Sequence, residues 1–119
     1  MLAFANDLNP APLDPFFQGY GVQLTDAQGR YGFKTIKPGD YPTMIPGLRR
    51  APHIHFHVTG RIARLVTQMY FDGDQLNDQD PLLQCTQGKE RLIVKLQPPT
   101  PGLEPESLVA DWDIVIPQG

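Results

Sequence analysis

APHIHFHVTG, residues 51–60, is the stretch whose reading decides the fold. His53, His55 and His57 alternate with Ile54, Phe56 and Val58. A period of two puts the histidines on one face of a strand and the apolar side chains on the other. Gly60 ends the run. Working outward, RLVTQMYF (64–71) and ERLIVKLQ (90–97) read as further strands, and LVADWDIVI (108–116) as the last. Upstream, residues 19–24 alternate through Tyr20, Val22 and Leu24. TDAQG (25–29) is turn chemistry, and RYGFKTI (30–36) alternates again. KPGDYP (37–42) opens a loop that runs to about Arg50, and residues 82–85 suggest a short helical turn. Residues 1–18 read as irregular, because Pro10, Pro12 and Pro15 interrupt any helix. No ten-residue stretch holds a 3.6 period. The expectation is one all-β domain over 1–119, a β-sandwich of short, mostly antiparallel strands with long Pro/Gly-rich loops.

Bulk properties narrow the class. The chain has 119 residues, the length of one domain. It is 40% hydrophobic, enough for a core. Its 13 prolines and 11 glycines are spread along the chain, as many short elements separated by turns require. The net charge of −3 has both signs scattered, so there is no basic footprint for nucleic acid. No apolar run approaches the roughly 20 residues of a membrane span. MLAFANDLNP at the start lacks the pattern of a signal peptide. One cysteine, Cys85, allows no internal disulfide and reads as a small buried apolar residue. A soluble, cytoplasmic protein is the expectation.

All three histidines lie within five residues. Side chains two apart on a strand stand about 6.6–7 Å apart and can tilt toward one ion, as found with zinc, iron, manganese and copper. The alternative is a pair of solvated or core histidines. His57 lies roughly 13 Å from His53 by the same rise and reads as structural. Any third ligand must therefore be Tyr, Asp, Glu or Cys85. Tyr41, twelve residues before His53, is a candidate: a phenolate is a hard anion suited to trivalent iron, once the metal displaces its proton. By itself Tyr41 is as well explained by packing, as in structural β-sandwich modules that share the G-x-Y-x-F-x-x-I-x-P-G-x-Y pattern.

The combination of RYGFKTIKPGDYP with RRAPHIHF resembles the catalytic core of the intradiol ring-cleavage dioxygenases, closest to the protocatechuate 3,4-dioxygenase type. PLDPFFQGYG, LVTQMYFDGD and DWDIVI extend the resemblance over nearly the whole chain. It implies a non-haem Fe(III) centre on a β-sandwich, a catecholic substrate chelating the iron, and insertion of dioxygen between the two hydroxylated carbons. By that resemblance His53 and His55 match the histidine ligands and Tyr41 the tyrosine that leaves the iron when catechol binds. Arg50 matches an arginine beside the metal and substrate, and Gln68 a polar residue near the iron. Tyr31 and Tyr70 read as packing residues. The family's other tyrosine ligand falls at Leu2, and two family strands that precede this point are absent. The expectation is an incomplete sandwich that a homo- or hetero-oligomer completes.

Two other classes stay open on the residues. One is a non-catalytic binding or assembly module derived from the same family; retention of Tyr41, Arg50, His53 and His55 weighs against it. The other is a zinc hydrolase using His-x-His with a carboxylate such as Asp72 or Asp74. A cupin-type site lacks its glutamate, since Val58, Thr59 and Gly60 follow.

Overall fold

The computed structural model describes residues 19–116. Its paired strands are β1 (Tyr41–Pro42), β2 (Arg49–Arg50), β3 (His53–Thr59), β4 (Arg64–Phe71) and β5 (Ile93–Val94). One short helix, α1 (Pro81–Cys85), lies between β4 and β5, flanked by 3₁₀ turns at Gln75–Gln79 and Lys89–Leu92. The class is all-β. Among these residues no helix is long and apolar enough to cross a membrane.

β3 and β4 form the centre as an antiparallel pair whose register sets His53 opposite Tyr70 and His55 opposite Gln68. β5 adds to β4 in parallel, Tyr70 opposite Ile93 and Phe71 opposite Val94. Because side chains alternate across a strand, this register sorts the sheet into two faces. One face buries Ile54, Phe56, Met69, Phe71 and Val94. The other carries His53, His55, Gln68 and Tyr70, and meets Ala51 and Leu83 in a second cluster.

What covers the Phe56 face differs from expectation. Residues 19–24, 30–36 and 108–116 are not paired strands. The TDAQG turn does form, with Asp26 N–H donating to Arg30 O at 2.9 Å and Gly29 at φ 78°. Tyr31 packs edge-on to Phe56, and Trp112 does so at 4.9 Å between ring centroids. Tyr31 Oη donates to Trp112 O at 2.8 Å, tying the two covering segments together. Among the described residues the last segment pairs through one isolated antiparallel bridge, Val109 with Gln97. Alternation in sequence specifies which side chains face inward, but a strand also needs a neighbour for its N–H and C=O groups. Val22 and Leu24 instead stand 76% and 86% exposed, and Val115 74%. A second full sheet is therefore not formed by the described residues.

Two smaller differences bear on the site. The loop from Lys37 to Arg50 contains the β1–β2 ladder, Tyr41 opposite Arg50. Its turn is closed by Thr43, whose hydroxyl donates to Leu48 O at 2.8 Å, and by Gly47 at φ 80°, which only glycine adopts freely. The expected fifth strand starts as the 3₁₀ turn Lys89–Leu92, with ladder pairing at Ile93 and Val94 and a single bridge at Gln97. The expected helical turn at 82–85 is present as the end of α1, with Pro81 at its first turn and Asp80 as N-cap. Cys85, expected to be buried, is exposed, because only Leu83 of α1 faces inward. The segment 1–18 and Leu2 lie outside the described residues.

Candidate metal centre

β1, β2 and the start of β3 bring three donors together. His53 Nε2 lies 3.1 Å from His55 Nε2 and 3.3 Å from Tyr41 Oη. The β1–β2 ladder sets Tyr41 opposite Arg50, which is three residues before His53, so the hairpin carries the phenol to the histidine face. His53 Nδ1 is 2.6 Å from Ala51 O. A carbonyl only accepts, so Nδ1 bears the proton and donates it. In the neutral ring Nε2 is then a bare lone pair aimed at Tyr41 and His55. Lone pairs that converge this closely repel unless a proton or a cation lies between them.

The spacing also suits a metal. Two donors about 2.1 Å from one ion, at right angles, stand about 3.0 Å apart. The separations of 3.1 and 3.3 Å are close to that value. Two imidazoles and a phenol supply neutral nitrogen and hard anionic oxygen, a set suited to a trivalent first-row ion. Among the described residues no group of three or more His, Cys, Asp or Glu could hold an ion. Asp72 is exposed, and Asp74 Oδ1 instead accepts from Leu76 N at 2.9 Å. The carboxylate-assisted zinc arrangement thus finds no third donor among the described residues. His57, half-buried farther along β3, is not part of the cluster.

Behind the donors lies a buried polar group centred on Arg50. Its Nε–H donates to Asp80 Oδ2 at 2.8 Å and Nη1–H to Tyr41 Oη at 3.2 Å. Nη2 donates to Gln68 Oε1 at 2.7 Å and to Tyr70 Oη at 2.8 Å. Tyr70 Oη donates to Gln68 Oε1 at 2.6 Å, with Asp80 Oδ1 3.2 Å away. Sequence reasoning selected Tyr41, Arg50, His53, His55 and Gln68, and the fold brings all five together. It missed Asp80 and the hydroxyl of Tyr70. The signal available for Asp80 was the Asp-Pro step at a helix start, which marks a cap but says nothing of Arg50, thirty residues away.

The electrostatics keep the histidines neutral. Burial is the main cause and pushes the His53 pKa down to about 4, against the Ala51 carbonyl, with the Arg50 charge adding to the fall. Burial and Arg50 lower His55 as well. Burial alone would raise Asp80, but Arg50 and the N–H groups of Leu83 and Ala51 outweigh it and hold the carboxyl below its usual value. For Arg50, burial opposes the charge and Asp80 more than restores it. Burial also drives Tyr70 well above an ordinary phenol, so it stays a hydroxyl.

A stability prediction follows for the metal-free chain. The unfolded chain binds a proton at His53 near pH 6.5, and the folded chain does so only near pH 4. More protons on the unfolded state mean that stability rises with pH across that window. Lowering the pH from 7 to 4.5 is therefore expected to cost about 2–3 kcal/mol, using 1.36 kcal/mol per pKa unit. Urea midpoints across that range check it. An equal slope in His53→Asn would assign the effect elsewhere.

Comparison with known proteins bears on the family of the chain. A protein-family model described as "Dioxygenase" matches residues 3–118. The protocatechuate 3,4-dioxygenase beta chain of Burkholderia cepacia is 47% identical over 115 residues, covering 92% of this chain and 48% of that protein. The chain thus spans about half the length of that relative.

Proposed function

This chain belongs to the intradiol ring-cleavage dioxygenase family, and from that membership we propose that it carries a ferric centre for cleavage of a catecholic substrate with dioxygen. The observation that carries the reading is the convergence of Tyr41 Oη, His53 Nε2 and His55 Nε2 within 3.1–3.3 Å along the chain of donors. Those three atoms are the ones that would hold the ion. When bound there, a ferric ion would supply the Lewis-acid and one-electron chemistry that lets a catecholate react with dioxygen.

The chain's own residues have separable tasks. Ala51 O holds the His53 ring in the tautomer that leaves Nε2 free. Arg50 donates its Nη1–H to Tyr41 Oη and so fixes where that oxygen stands. Four of its five N–H donors are used by Asp80, Tyr41, Gln68 and Tyr70. The fifth, on Nη1, has no partner among the described residues, which fits a donor offered to an anionic substrate oxygen. Gln68 stands opposite His55 and keeps the guanidinium plane fixed. The relative's designation as a beta chain, together with the exposed Val22, Leu24 and Val115, favours work within an oligomer.

The test is metal content and colour. The purified chain, reconstituted with ferric iron, is expected to show a visible tyrosinate-to-iron charge-transfer band that changes on adding a catechol. A colourless chain that takes up no iron would leave it as a binding or assembly module. Iron and colour kept by Tyr41→Phe would remove Tyr41 from the site.

A further inference from the structure

Asp80 is the most completely buried charged side chain of the described residues, at 0% exposure. Both of its oxygens are engaged. Oδ2 accepts from Arg50 Nε at 2.8 Å and from Ala51 N at 3.0 Å. Oδ1 accepts from Leu83 N at 3.0 Å and stands 3.2 Å from Tyr70 Oη. A carboxylate offers about four lone-pair directions, and three of them accept from Arg50, Ala51 and Leu83, with the Tyr70 hydroxyl beside the fourth. Capping α1 would need one of these contacts. The other three reach Arg50, Ala51 and Tyr70, which lie next to the strands that carry the donor set.

Two short paths run from this carboxylate to the donors. Through Arg50 it sets the roll of the guanidinium, whose Nη1–H meets Tyr41 Oη at 3.2 Å. Through the Ala51 N–H it pins the residue whose carbonyl, in the following peptide unit, meets His53 Nδ1 at 2.6 Å. Tyr41 and His53 are thereby held by one group that lies outside both of their strand pairs. We propose that Asp80 is a positioning residue that preorganises Tyr41 and His53, through Arg50 and the Ala51 backbone, as metal donors. The role rests on the ferric reading above for its purpose, though its effect on Arg50 and His53 is independent of any metal.

Asp80→Asn separates this role from capping. Asparagine caps a helix about as well as aspartate, so a residue needed only for α1 would tolerate the change. The amide nitrogen cannot accept, so either Arg50 Nε and Ala51 N or Leu83 N and Tyr70 lose their partner. The experiment is nitrogen-15 NMR of the full metal-free chain, followed by titration with ferric citrate. In the wild type the Arg50 Nε–H is expected to exchange with water at least about 100-fold more slowly than those of exposed arginines. Asp80→Asn is expected to abolish most of that protection and to shift the His53 Nδ1 signal, with α1 still formed. Ferric affinity should fall about 10–100-fold, as for other groups that orient metal ligands. Unchanged Arg50 and His53 signals would overturn the proposal, and so would changed signals with ferric affinity unaltered. If Asp80→Asn does not fold, Asp80→Glu carries the same readouts, since it keeps the charge but moves it by one methylene. A wild type that takes up no ferric ion would sink the iron reading alone, leaving the metal-free signals to decide the role of Asp80.

Discussion

Arg50→Ala is expected to destabilise the metal-free chain by about 3–5 kcal/mol, the usual cost of removing one partner of a buried ion pair. The Arg50 side chain is 9% exposed and that of Asp80 0%, so neither has water to fall back on. Truncation leaves the carboxylate without its counter-charge, and takes the guanidinium donor from Gln68 Oε1 and the Tyr70 hydroxyl, which keep their bond to each other. Against a total stability of about 5–15 kcal/mol for a domain, the loss is a large fraction. Removing both charges should not recover it. In many proteins an apolar pair can replace a buried ion pair, but here Asp80 also accepts from two backbone N–H groups, of Ala51 and Leu83. Arg50→Met with Asp80→Leu is therefore expected to stay at least about 2 kcal/mol below wild type, because those donors are orphaned. Urea unfolding measures both. A single-variant cost under about 1 kcal/mol would show that the ion pair is solvated in solution.

The second large effect concerns metal. His53→Ala is expected to weaken ferric binding by more than about 100-fold, beyond the loss typical of groups that only orient ligands. It removes the donor that lies next to both of the others, 3.1 Å from His55 Nε2 and 3.3 Å from Tyr41 Oη. His55→Ala should cost a similar factor in affinity with a smaller loss of stability, because His55 is only half-buried and makes no bond like that of His53 to Ala51 O. His57→Ala provides the contrast. It shares their face of β3 but stands roughly 13 Å from His53, and its replacement should leave affinity within about twofold. Equilibrium titration with ferric citrate distinguishes the three. Equal losses at His53 and His57 would mean that the ion sits elsewhere on the strand.

How much of this was legible beforehand depends on the range of the interaction. The facing of His53, His55 and His57 against Ile54, Phe56 and Val58 follows from a strand's period, and it holds in β3. The pairing of 53–59 with 64–71 is local as well, since four residues join the two strands. The same reasoning overreached at 19–24 and 108–116. Alternation there is genuine, yet those segments find no ladder partner among the described residues, and Val22 and Leu24 face solvent. Period alone cannot supply a neighbour.

The amino-acid sequence by itself determined the all-β class, the histidine face and, through family resemblance, the five residues that gather at the site. These rest on local spacing and on motifs that are contiguous in the chain. The tertiary structure alone decided that Asp80 stands behind Arg50 and Ala51, and that the Tyr70 hydroxyl joins the same network. It also decided that Asp72 and Asp74 stay out of the donor set. The physical reason is that a carboxylate's role is set by which donors approach it. The Arg50 donor arrives from thirty residues away, when β2 packs against the turn before α1.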